Sequence, residues 1–109
     1  MTLKQVMEKI IQFRDERDWK KYHQPLNLAQ SIVIEAAELL EEFQWKSEQE
    51  TITYAKSKEG KKAISHEIAD CLIYLLSMCD ILELDPAKII SEKLVLNEQK
   101  YPKKHIKLS

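Results

Sequence analysis

The stretch AISHEIADCLIYLLSMCDILEL, residues 63–84, decides the fold. Between Ile68 and Leu84 only Asp70, Ser77, Asp80 and Glu83 interrupt an apolar or aromatic sequence, and neither glycine nor proline breaks it. Periodicity makes it a helix that is apolar on more than one side, which several neighbours must cover. Its longest uninterrupted apolar run, Cys71 to Leu76, is far below the roughly 18 residues that a membrane-spanning helix needs. The helix therefore belongs inside a packed bundle and not in a membrane.

Working outward, Asp85 followed by Pro86 supplies an N-cap and a first-turn proline for a further helix, which ends at Tyr101-Pro102 and leaves KKHIKLS as a short, frayed basic tail. Upstream, residues 47–62 are polar, with Lys56, Lys58, Lys61 and Lys62 around Gly60, and read as a mobile, partly helical connector. Before it, NLAQSIVIEAAELLEEFQW predicts a helix capped by Asn27, with Gln30 at the capping-box position, running to about Trp45. Trp19 to Leu26 reads as a loop, because the residue before Pro25 avoids the α region. The first helix starts at Thr2, with Gln5 three residues on, and gathers Leu3, Val6, Met7, Ile10 and Phe13 on one face. No repeat or second-domain boundary emerges, so residues 1–109 predict a single all-α domain, a four-helix bundle. So small a bundle has little core of its own, and a second copy is expected to complete it.

Composition removes several classes of function. A 44% apolar and 32% charged chain is globular, and a net charge of −1 disfavours a protein that coats nucleic acid. A single glycine, Gly60, rules out phosphate-cradling loops, which need glycine where the backbone approaches phosphate. Any phosphate must be held by metal or side chains. The amphipathic opening MTLKQVMEKI is unlike a signal peptide, and Cys71 and Cys79 form neither a CxxC pair nor a disulfide framework. Two free thiols and a cytoplasmic location are expected.

The chemistry lies in acids set among apolar neighbours. Glu35 and Glu38 stand three residues apart on one helix, and Glu67 and Asp70 on the next, each pair on one helical face. Like-charged carboxylates near a core are costly without a positive partner. Helices packed about 8–10 Å apart can bring all four onto one small volume, the geometry of a hard divalent ion. An all-oxygen set favours Mg2+, with Mn2+ as substitute, over zinc. A carboxylate-bridged di-iron bundle would need Glu-x-x-His on two helices, whereas here Asp70 closes the second motif and His66 precedes Glu67.

Paired acids of this kind in an all-helical chain, together with ERDWKKYHQPLNL (16–28), FQWK (43–46), EIADCLIYLL (67–76) and the closing Lys93, Asn97 and Lys100-Tyr101-Pro102, give a resemblance that covers most of the chain. The sequence resembles the MazG-like nucleoside triphosphate pyrophosphohydrolases of the all-α NTP pyrophosphatase superfamily, in their dCTP pyrophosphatase branch. The resemblance implies Mg2+-dependent cleavage of a nucleoside triphosphate, dCTP or a modified dCTP, to the monophosphate and pyrophosphate. It also implies an oligomer of tightly paired subunits, a homodimer or homotetramer.

On that reading Glu35, Glu38, Glu67 and Asp70 hold metal, and Glu35 or Glu38 is also the candidate base; the sequence leaves open which. Lys93, Asn97 and Lys100 recur at i, i+4 and i+7 beside Tyr101 and suit phosphate. Trp19, Trp45, Tyr74 and His23 can line a slot for the base, and Asn27 can touch nucleotide besides capping its helix. The competing reading is a non-catalytic helical interaction module that keeps only the bundle.

Overall fold

The computed structural model describes residues 1–103, which form five α-helices and, among the described residues, no strand. The helices are α1 (Leu3–Glu16), α2 (Pro25–Glu41), α3 (Glu48–Lys56), α4 (Lys58–Ile81) and α5 (Pro86–Lys100), with a 3-10 turn at Lys20–Tyr22. The all-α bundle is as expected, with one helix more than the four anticipated. Most of the KKHIKLS tail, from residue 104 on, lies outside the described residues.

The extra helix replaces the expected connector. Ser47 and Glu50 close a reciprocal capping box: Ser47 N–H donates to Glu50 Oε1 (2.7 Å) and Glu50 N–H to Ser47 Oγ (3.2 Å), enough to start a polar helix. Ser57 then ends α3 and caps α4, its Oγ accepting from Gly60 N–H at 2.9 Å, so the long helix begins at Lys58 and not near Ala63. At that corner the single glycine is required by packing. A Cβ on Gly60 would lie 1.8 Å from the Tyr54 carbonyl oxygen.

Two other boundaries differ from the sequence reading. Pro25 is the first residue of α2, after Gln24 in an extended conformation, because proline lacks the N–H that would be orphaned at a helix start. Asn27 therefore sits inside the helix and does not cap it; its Nδ2 donates to the Tyr22 carbonyl at 3.2 Å. At the other end α2 stops at Glu41, and the chain turns to Trp45 in the left-handed region (φ 63°). The expected caps at Thr2 and Asp85 are present. Lacking glycine, α1 and α4 end in Schellman motifs whose left-handed residues are Asp18 and Glu83, with Trp19 N–H reaching Arg14 O (3.0 Å) and Leu84 N–H reaching Cys79 O (2.8 Å).

α4 is the central helix, with α2, α3 and α1 packed against it. Leu28 is the one large apolar side chain fully buried among the described residues. The radius of gyration is 17.9 Å, against about 13 Å for a compact chain near this length. α5 packs closely along none of the other helices, and Ile90, Leu94, Val95 and Leu96 on it are exposed, as are Val33, Ile34 and Leu40 on α2.

An ion pair ties α1 to α4. Arg14, only 4% exposed, donates from Nη1 to Asp80 (2.7 Å) and from Nε to Asp15 (2.9 Å). Truncating it would leave Asp80 half-buried and unpaired, so Arg14→Ala is expected to cost about 3 kcal/mol. Urea unfolding that shifts by less than about 1 kcal/mol would contradict this.

Candidate functional site

α2 and α4 run antiparallel, and each presents a polar stripe to the other. Asn27, Ser31, Glu35 and Glu38 follow one another at helical spacing along α2, as do Glu67, Cys71 and Tyr74 along α4. At one end of the contact, oxygens of Glu35, Glu38 and Glu67 all lie within 4.8 Å of one another, each residue half-buried. At the other end Asn27, Leu28, Ser31 and Tyr74 join Trp19, Tyr22 and His23 around a cavity of about 170 Å³.

The electrostatics of the first end are those of crowded acids. Contact with the Glu38 carboxyl, together with partial burial and the charges of Glu38, Asp70 and Glu67, pushes the Glu35 carboxyl from its ordinary 4.5 up to about 7. Glu67 is also raised, first by burial and then by Glu38, Asp70 and Glu42. One buried oxygen on each, Glu35 Oε2 and Glu67 Oε2, has no hydrogen-bond partner. Converging carboxylates with unpartnered inward oxygens fit a hard divalent cation, whose charge would relieve their repulsion. Asp70 is exposed and stands outside this trio, although its charge acts on Glu35 and Glu67. The Cys71 thiol, one turn from Glu67, is pushed up by burial and then by the same acids.

The cavity end is aromatic with a few polar atoms. Trp19 is set by the end of α1 and braced by Phe13, edge-to-face at 5.8 Å between ring centroids, while the Arg17 guanidinium lies 3.5 Å over the Phe13 ring. His23 is held below its usual pKa, chiefly by burial and then by the Arg14 charge, and its Nδ1 is buried without a partner. A neutral imidazole with an unsatisfied nitrogen in the wall of an aromatic-lined cavity can read the edge of a planar ring.

Not every candidate arrives at the site. Tyr74, His23 and Asn27 line the cavity, and Trp19 joins them. Trp45 does not line it: α2 ends four residues before it, and in the turn that follows it is 92% exposed. Lys93, Asn97 and Lys100 on α5, and Tyr101 just past its end, neither line the cavity nor act among the charges on Glu35 and Glu67. Conversely, the sequence reading missed Ser31, whose signal was its position midway between Asn27 and Glu35 at i+4 steps. It also missed Tyr22 and Leu28, which nothing in the sequence distinguished from ordinary packing residues.

Comparison with known proteins decides the family. The model of the MazG-like family matches residues 30–107, a span that includes both acid pairs. The chain belongs to the MazG-like family. Among its curated relatives, dCTP pyrophosphatase 1 of Rattus norvegicus is 37% identical over 101 residues, covering 93% of this chain and 59% of the relative. The Homo sapiens protein of the same name is 35% identical over the same shares. The MazG-like chain thus spans about three-fifths of the length of the curated relatives it matches. A solved structure of a pyrophosphatase from Archaeoglobus fulgidus is 46% identical, with a TM-score of 0.85 and 93% of each chain covered.

Proposed function

We propose that this MazG-like chain hydrolyses a nucleoside triphosphate, dCTP or a modified dCTP, to the monophosphate and pyrophosphate, with Mg2+ as cofactor and Mn2+ as a substitute. The observation that carries the reading is the trio Glu35, Glu38 and Glu67, with two unpartnered oxygens, on the same α2–α4 contact as an aromatic cavity. The names of the dCTP pyrophosphatase 1 relatives and of the Archaeoglobus pyrophosphatase point the same way. Among the described residues no helix is long and apolar enough to cross a membrane, and two free thiols suit a reducing, cytoplasmic setting.

The cavity is smaller than the roughly 300–1,000 Å³ of a drug-sized site, so it takes the base alone, and the triphosphate extends along the contact toward the acids. Tyr74 and Trp19 stack on the ring, His23 Nδ1 and Asn27 meet its polar edge, and Ser31 stands between base and acids. Glu35, Glu38, Glu67 and, from its exposed position, Asp70 hold the cation, which when bound neutralises phosphate charge and polarises the phosphorus under attack. Water attacks the α-phosphorus, the bond to the bridging oxygen breaks, and pyrophosphate leaves. Glu35 or Glu38 accepts the proton that the water gives up.

Lys93, Asn97, Lys100 and Tyr101 enter through oligomerisation. The exposed apolar faces of α2 and α5 favour a homodimer or homotetramer, in which α5 of one subunit reaches the phosphates bound by another. A pyrophosphate-release screen over canonical and methylated nucleoside triphosphates, with Mg2+ or with EDTA, tests the function. Release is expected fastest from dCTP or a methylated dCTP, and EDTA should stop it. No release from any nucleotide would leave a helical interaction module.

A further inference from the structure

Beside the acid trio stands a fourth carboxylate with an unusual support. Glu42 lies one turn past Glu38, is half-buried, and accepts a hydrogen bond from the Tyr54 hydroxyl at 2.5 Å. So short an O–H···O⁻ bond is charge-assisted and directional. The phenol is fixed from the other side too: the Lys46 ammonium lies 4.5 Å from the centre of its ring, while Lys46 Nζ donates to the Glu42 carbonyl at 3.0 Å. Glu42, Lys46 and Tyr54 thus form a closed unit between the end of α2 and α3.

The backbone of Tyr54 is equally constrained. Its carbonyl accepts from Ser57 Oγ at 2.7 Å and is so close to Gly60 that no side chain fits there. The hydroxyl is therefore carried on a corner anchored to the start of α4, the helix that bears Glu67. A side chain held at both ends places its partner accurately, as supporting shells of metal sites do. Glu42 in turn is near enough for its charge to act on Glu67.

We propose that Tyr54 is a positioning residue for the carboxylate trio, fixing Glu42 beside Glu67 so that a cation held by Glu35, Glu38 and Glu67 faces additional, immobile negative charge. This rests on the trio being the cation site. Glu42 touches neither base nor phosphate in this account, and Tyr54 acts only through it.

Mn2+ affinity, measured by electron paramagnetic resonance without nucleotide, tests the proposal apart from turnover. Tyr54→Phe keeps the ring and its contact with Lys46 but removes the hydroxyl, and Glu42→Gln keeps the side-chain size but removes the charge. Each is expected to weaken Mn2+ binding about tenfold, the lower end for losing a supporting partner of a metal site. Because both act through one carboxylate, the double variant should bind no more weakly than Glu42→Gln alone. Affinity within twofold of the parent in Tyr54→Phe, or a double variant that loses the product of the two effects, overturns the proposal. Should Tyr54→Phe fail to fold, Glu42→Gln decides by itself, and unchanged affinity there overturns it. A parent chain that binds no Mn2+ would instead overturn the reading of the trio.

Discussion

Glu38→Gln is expected to abolish pyrophosphate release while leaving the metal-free chain at least as stable as the parent. Glu38 is the member of the trio that acts most on Glu35 and also acts on Glu67, so it links the two helices' contributions to one ion. An amide of the same size cannot supply the anionic oxygen that a hard cation requires. The loss should exceed about a hundredfold, since losing even a supporting partner of a metal site costs 10- to 100-fold. Without metal the sign reverses, because removing one of several crowded like charges relieves repulsion. Thermal unfolding in EDTA should therefore show an unchanged or raised midpoint, and the circular dichroism helix signal should persist. Turnover within a few-fold of the parent would remove Glu38 from the chemistry.

The second large effect is structural. Alanine in place of glycine within a helix ordinarily stabilises by about 1 kcal/mol. At Gly60 the opposite is expected, because the added Cβ would lie 1.8 Å from the Tyr54 carbonyl oxygen and 2.9 Å from Ser57 Oγ. The nearest obstacle is backbone and cannot rotate aside, so α3 must move away from α4. Overpacking of this kind costs about 1–3 kcal/mol, and each kcal/mol lowers the melting midpoint of a chain near this size by roughly 4–8 °C. A Gly60→Ala protein that melts at or above the parent temperature would show that the α3–α4 corner is not so tightly closed. The same displacement would carry Tyr54 away from Glu42, joining stability at this corner to the cation site.

Several elements were legible because their signals are local. Thr2 with Gln5, and Asp85 with Pro86, are cap chemistry that needs only neighbouring residues, and both caps are present in the structure. The pairs Glu35/Glu38 and Glu67/Asp70 were legible for the same reason, since three-residue spacing fixes a helical face. α3 was equally open to reading in Ser47 and Glu50, but its polar composition concealed it. The end of α2 was less legible, because its pattern continues past Glu41 while the backbone leaves the helix there and places Trp45 in a turn.

What depends on the approach of two helices could not be read in advance. Spacing placed four acids on two faces, but the depth and rotation of α2 against α4 admit three to the cluster and leave Asp70 in solvent. Sequence alone determined the all-α class, the caps at Thr2 and Asp85 and the acid pairs, because those follow from the helical period and from hydrogen bonds within a few residues. Tertiary structure decided that Tyr54 meets Glu42, that Gly60 must be glycine, and that α5 packs closely along none of the other helices. These are outcomes of side-chain shape and helix offset between segments distant along the chain, and a period of 3.6 residues carries no information about them.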